Sequence, residues 1–228
     1  MTTLAGLAAL VAAAGIASGG IGEGDGQVLT IADSAEDYNG NQGENGWFYG
    51  YYDGDAGAGS WSPADFELMN IYDEDNDRWW VDNSPGGPLT LIDSQFMHPN
   101  AFVATSMDSS LQWAVRRWVS DIDGPINIHV DMSRANPEFA GDGVKLRVFV
   151  DGVQQLAVEM FANNDAGIAF DLSAAVVQGS VIDFAIDPIG NALFDATAFH
   201  AIITSNVPGP GVLAGLGLAG LLAGRRRR

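Results

Sequence analysis

Residues 144–160 read Val144-Lys145-Leu146-Arg147-Val148-Phe149-Val150-Asp151-Gly152-Val153-Gln154-Gln155-Leu156-Ala157-Val158-Glu159-Met160. On the first arm, apolar side chains fall at every second position, the period of a strand with one face turned to a core. Asp-Gly between two such runs favours a type I′ turn, whose central residues need positive φ, a conformation that Gly takes without steric cost. A β-hairpin is predicted, and it sets the class of the whole chain.

Outward from this hairpin the same alternation recurs in segments of strand length bounded by Gly, Asp, Asn and Pro. Nine strands are predicted: Gln27 to Ile31, Trp47 to Tyr52, Phe66 to Tyr72, Leu111 to Val119, Ile126 to Met132, Val144 to Val150, Gln154 to Phe161, Val181 to Ile186 and Ala198 to Thr204. Asp123-Gly124 predicts a second hairpin, between Trp113 to Val119 and Ile126 to Val130. Gly54 to Ser60 and Ser84-Pro85-Gly86-Gly87-Pro88 read as loops. The pattern points to an all-β antiparallel sandwich of two packed sheets, and no 20–50-residue repeat suggests a propeller or solenoid. Composition agrees, because 29 Gly and only 17% charged residues make long helices hard to write. The 228 residues suffice for one domain with a substantial core once the two ends are set aside.

The net charge is −19, and with the four C-terminal arginines removed six basic side chains face 29 acidic ones. A surface so acidic repels phosphate backbones, which excludes nucleic acid as a partner. It suits high-salt surroundings or bound calcium. Cysteine is absent, so disulfides and thiolate metal sites are excluded.

Rings are concentrated in Trp47, Phe48, Tyr49, Tyr51 and Tyr52, with Trp61, Trp79 and Trp80 further on. Aromatic faces suit the apolar faces of sugars, so Trp79, Trp80, Tyr49, Tyr51 and Trp61 are the candidate ligand-binding residues. Alternation puts Trp47, Tyr49 and Tyr51 on one face and Phe48 and Tyr52 on the other, with one face in the core. Asp73, Asp75 and Asp77 place oxygens at alternate positions, which makes calcium a candidate ligand there. Arg78 and Ser84, however, stand where an EF-hand loop needs Gly and Glu. Asp183, Asp187 and Asp195 form an alternative set. Of the consecutive Arg116 and Arg117, one must face inward, where it would need a carboxylate partner. The only histidines are His98, His129 and His200, and the last two, inside predicted strands, read as structural. No nucleophile elbow, zinc-protease or P-loop motif occurs, so no catalytic residue is assigned and no cofactor is required. The expectation is a non-catalytic protein; paired carboxylates acting on glycosidic bonds are the enzymatic alternative.

Leu4 to Ala17 is an uncharged apolar run, at about 1.5 Å per residue too short for a ~30 Å hydrocarbon core. It reads as the apolar region of a signal peptide spanning residues 1–17, with cleavage before Ser18. The other end reads Val207-Pro208-Gly209-Pro210, then Gly211 to Gly224 without a polar side chain, then Arg225, Arg226, Arg227 and Arg228. Terminal arginines would stay cytoplasmic while the domain at 18–206 lies outside. This tail, residues 207–228, resembles the PEP-CTERM sorting signal, with Gly209 where that motif has Glu. The resemblance implies an exosortase-type membrane protease as partner, transient or stable membrane anchoring through the C-terminal helix, and display at the cell surface or in the matrix of an exopolysaccharide producer. A second resemblance is carried by Asn41 to Tyr52, Trp113 to Trp118, Gly141 to Gly152 and Asp195 to Phe199. These are similar to jelly-roll domains of the carbohydrate-binding and lectin-like kind, which implies polysaccharide as a ligand. A purely structural surface protein is the alternative.

Overall fold

A computed structural model describes residues 27–54, 63–101, 108–135, 141–161, 164 and 166–207. The predicted leader, the tail beyond Val207 and Trp61 lie outside the described residues.

Among the described residues the chain is built of antiparallel strands in two sheets. The first contains β1 (Gln27–Asp33), β4 (Ile71–Asp73), β5 (Arg78–Trp80), β6 (Leu91–Asp93), β7 (Phe96–His98), β9 (Gly124–Arg134), β12 (Ile168–Val176) and β14 (Thr197–Val207). Its order is β12-β9-β14-β7-β6-β5-β4, with β1 also on β14. The second contains β2 (Trp47–Asp53), β3 (Phe66–Leu68), β8 (Gln112–Val119), β10 (Val144–Val150), β11 (Val153–Met160) and β13 (Val181–Asp187), in the order β11-β10-β13-β8-β2-β3. Among the described residues no helix is long and apolar enough to cross a membrane.

Alternation builds the space between the sheets. Ile126, Ile128, Val130 and Met132 of β9 and Phe199, Ala201 and Ile203 of β14 pack against Trp47, Trp118, Leu146, Val148, Ile182, Phe184 and Ile186 from the second sheet. Each fully buried large apolar side chain contributes about 1.5–3 kcal/mol, and these residues repeat every second position on the longest strands. The β10–β11 hairpin forms as predicted, with Asp151 at φ 48° and Gly152 at φ 82°, the left-handed pair a type I′ turn needs.

The second sheet is covered on its other face as well. Tyr52, Trp113, Val115, Phe149 and Ala185 form a separate buried cluster there. Gly50 in β2 makes room for it: an added Cβ would lie 2.2 Å from the Glu67 carbonyl oxygen and 2.5 Å from the Phe66 ring. Two faces of burial explain why β8 and β13 are almost continuously buried.

Two expectations are corrected. Asp123-Gly124 does not make a hairpin: β8 pairs with β2 and β13, whereas β9 pairs with β12 and β14 in the opposite sheet. The turn is where the chain changes sheet. The stretch Phe66 to Tyr72 is two strands, because Phe66–Leu68 pairs with β2 in the second sheet and Ile71–Asp73 with β5 in the first; at the change of sheet Met69 donates its N–H to Tyr49 O at 3.0 Å and its carbonyl accepts from Gln42 Nε2 at 3.0 Å.

Candidate functional site

The outward face of the first sheet carries a row of alternating acids and histidines. His129 lies between the inward Ile128 and Val130, so parity turns it to solvent. Its Nδ1 is 2.8 Å from Asp171 Oδ1 on β12, and its Nε2 is 3.2 Å from Asp131 Oδ2 on the same strand. Asp131 stands directly opposite His200 of β14, whose Nε2 is 2.9 Å from Asp33 Oδ1 at the end of β1. Four strands thus contribute one polar row, Asp171, His129, Asp131, His200 and Asp33.

The partners tune the row. The hydrogen bond to Asp171 is the largest influence on His129 and holds its imidazole above the ordinary range, with Asp131 acting in the same direction. For Asp33, partial burial would raise the carboxyl, but the N–H groups of Glu36 and Ala35 and the His200 side chain outweigh it, leaving a net depression. The row therefore presents fixed carboxylates and nitrogen groups to solvent.

Beside it opens a cleft of about 520 Å³, with Gln95, Phe96, Asp131, Ser133, Ala169 and His200 among its lining residues. Its volume falls within the ~300–1,000 Å³ usual for ligand sites. Ala169 and Ala198 put small side chains on its lining, and the polar side chains there include both donors and acceptors.

The residues selected from sequence lie elsewhere. Tyr49 and Trp79 are core residues, 0% and 6% exposed, stacked on each other with ring centroids 5.9 Å apart and planes 17° off parallel. The Trp79 indole donates to Asn39 O at 3.1 Å. Both side chains point between the sheets, so neither ring is available to a sugar. Trp80 and Tyr51 are partly exposed; Arg78 lies 5.8 Å from the Trp80 ring, and the Tyr51 hydroxyl donates to Glu67 at 2.7 Å.

Asp73, Asp75 and Asp77 sit in the β4–β5 turn. Asp73 accepts from the N–H of Asp75 at 3.1 Å and of Asn76 at 3.2 Å and from the Asn76 amide at 2.8 Å, and Asp77 accepts from the Tyr72 hydroxyl. Two of the three carboxylates are thereby engaged in shaping their own turn. Asp183, Asp187 and Asp195 do not gather as one ligand set: Asp183 pairs with Arg117 and Asp187 with Arg147, while Asp195 feels Asp142 first and Asp187 more weakly.

The arginine pair divides as strand parity requires, but the carboxylate belongs to the other member. Arg117, on the outer face of the second sheet, holds Asp183 at 2.6 Å and stacks 3.9 Å from the Phe66 ring centroid. Arg116 is 0% exposed between the sheets and donates to the carbonyls of Ser34 and Asp93, with the Tyr38 and Phe199 rings 5.7 and 5.6 Å from its guanidinium carbon. An inward Arg needed acceptors, and main-chain carbonyls supply them.

No protein-family model and no curated protein matches the chain. Among solved structures, the chain aligns with a CBM51-2 and INT domain structure of ZmpB from Clostridium perfringens at 14% identity, over 47% of this chain and 25% of that one, with a TM-score of 0.32. A family 35 carbohydrate binding module from Clostridium thermocellum aligns at 10% identity over 48% of this chain and 87% of its own, TM-score 0.30. The K3 cleaved adhesin domain of Lys-gingipain from Porphyromonas gingivalis aligns at 10% over 79% of this chain and 100% of its own, TM-score 0.35. The chain spans a quarter of the ZmpB structure it matches. Likeness at this level assigns neither a fold family nor a ligand, and the site is read from its own residues.

Proposed function

We propose that this chain is a non-catalytic binding protein that holds a neutral polysaccharide segment on the outward face of its first sheet. The observation that carries the reading is the open cleft lined by small residues and polar side chains. Asp131 offers acceptors for sugar hydroxyls, while Gln95 and Ser133 offer donors, and Ala169, Ala198 and the Phe96 ring can cover the apolar face of a pyranose. The carboxylate row and the net charge of −19 argue for a neutral glycan over a polyuronate. Between β8 and β14 the chain changes sheet at five of six connections, which supports a jelly-roll reading of the sandwich.

Native electrophoresis of the full chain through gels containing neutral glucan, mannan or galactan, or a polyuronate, tests this. A neutral polymer is expected to retard the protein, and Ala169→Trp, which fills the cleft from an exposed lining position, to weaken that retardation about tenfold or more. Retardation by none of the neutral polymers, or equal retardation of the variant, would remove the proposal. Incubation with the bound polymer is expected to release no new reducing ends.

Export to the cell surface or matrix belongs to the same proposal and rests on residues 1–17 and 207–228. Intact mass of the protein from its native host is expected to show a chain beginning near Ser18, with sorting ending it before Gly211. A full-length membrane-bound form would mean that the tail with Gly209 anchors the domain without release by an exosortase-type protease.

A further inference from the structure

A second polar site lies at the turn between β13 and β14, and two carboxylates that do not line the cleft define it. Asp195 is only 3% exposed, and its Oδ2 is buried without a hydrogen-bond partner. Asp142, just before β10, accepts the N–H of Asn191 on Oδ2 at 3.1 Å, yet its Oδ1 is likewise buried and unpartnered. Two carboxylate oxygens that have surrendered water and gained no donor are costly. Burial, then the neighbouring Asp142 charge, pushes the Asp195 carboxyl up to about 9 although Arg134 pulls the other way. The Arg134 guanidinium stands on one side of the pair, with Nη2 beside the Gly141 Cα, and still leaves Asp142 Oδ1 and Asp195 Oδ2 without a donor.

The surroundings are shaped around them. An added Cβ at Gly190 would lie 2.5 Å from Asp142 Oδ2, and one at Gly141 would lie 2.8 Å from Leu193 O and 3.9 Å from Asp195 Oδ1. Both glycines let main chain and carboxylates close in on one small volume. Of the other charged groups nearby, Asp187 accepts the Ile189 N–H at 2.9 Å and pairs with Arg147 at 2.9 Å, and Arg134, 8% exposed, has its Nη2 3.6 Å from the position of that added Gly141 Cβ. Among the described residues no three His, Asp or Glu side chains gather closely enough to ligate one ion. A cage here would need main-chain oxygens, such as that of Leu193, and water besides the two carboxylates.

We infer that Asp142 and Asp195 hold a hard divalent cation, of which calcium is the best fit. Calcium accepts six to eight oxygens in irregular geometry, carboxylate and carbonyl alike, whereas magnesium demands a near-ideal octahedron and sheds water reluctantly. Such an ion would tie the segment before β10 to the β13–β14 turn.

The full chain is stripped with chelator and titrated with calcium and with magnesium by calorimetry, alongside thermal melts. One calcium per chain is expected to bind, raising Tm by about 5–10 °C at a roughly hundredfold excess over Kd, with magnesium at least tenfold weaker. Asp195→Asn and Asp142→Asn, which are nearly isosteric, are each expected to lose calcium affinity more than tenfold. Asp73→Asn is expected to leave it unchanged. A stripped chain that takes up no calcium, or an Asp195→Asn chain that binds it as wild type does, overturns the inference. So does loss of binding in Asp73→Asn alone, which would move the ion to the β4–β5 turn.

Discussion

Asp183→Asn is expected to cost about 3–5 kcal/mol, the range for breaking a buried ion pair, and to lower Tm by about 6–20 °C for a domain of this size. Asp183 is fully buried on the outer face of β13. It binds Arg117 Nε at 2.6 Å and Nη2 at 2.9 Å, and accepts the Tyr52 hydroxyl at 2.7 Å. The amide keeps the volume and removes the charge, so Arg117, packed on Phe66, is left as a cation with little water to turn to. The mechanism, not just the magnitude, can be checked in urea and thermal denaturation. If the loss is an orphaned cation, Arg117→Met combined with Asp183→Leu and Tyr52→Phe should recover at least half of it, since well-packed apolar replacements of buried pairs are often neutral. A single variant that melts within about 2 °C of wild type would show that Arg117 re-hydrates. A triple variant no better than the single one would assign the cost to packing.

How much of this was legible in the sequence follows from which forces are local. The β10–β11 hairpin needs only alternation and an Asp-Gly turn, both contained in seventeen consecutive residues, and it is found with Val150 opposite Val153 and one register shift between Val148 and Phe149. β5, β6 and β7 have three residues each, too few to show a period, and are placed by partners far along the chain. β12 differs from these: Ile168, Phe170, Leu172 and Ala174 alternate with exposed residues, so its period is local and stands in the sequence itself. Asp123-Gly124 has the chemistry of a hairpin turn, but pairing is decided by which strand each neighbour meets, and that is a long-range property.

The site was harder to read for the same reason. Aromatic rings attract attention as binding residues, yet Tyr49 and Trp79 lie between sheets because apolar area is best used in a core. His129 and His200 read as structural inside their strands, and each does have a carboxylate partner. Parity with Ile128 and Val130 already turned His129 outward. No local pattern showed that Asp171, His129, Asp131, His200 and Asp33 share a row, because these residues meet only through the order β12-β9-β14 and the pairing of β1 on β14.

Arg116→Lys tests how the core supports that face, and it is expected to be nearly as damaging as Arg116→Met. The guanidinium sends Nη1 to Ser34 O and Nη2 to Asp93 O, crossing from β8 in one sheet to two segments of the other. An ammonium keeps the charge, but it is a compact point charge without the planar fork. One carbonyl would be left unsatisfied in the core, at about 1–3 kcal/mol, on top of a lost charged hydrogen bond worth about 1.5–3. The consequence reaches the cleft. Ala35, beside Ser34, lines it, and Asp93 accepts the N–H groups of Gln95 at 3.0 Å and Phe96 at 2.8 Å, which line it too. Hydrogen exchange at the Gln95 and Phe96 amides is therefore expected to accelerate in Arg116→Lys well beyond exchange in the distant β10–β11 hairpin. Uniform acceleration across both regions would mean that Arg116 sustains only global stability. Selective acceleration, accompanied by weaker polysaccharide retardation at a temperature where the variant is folded, would make the buried arginine a positioning residue for the outward face.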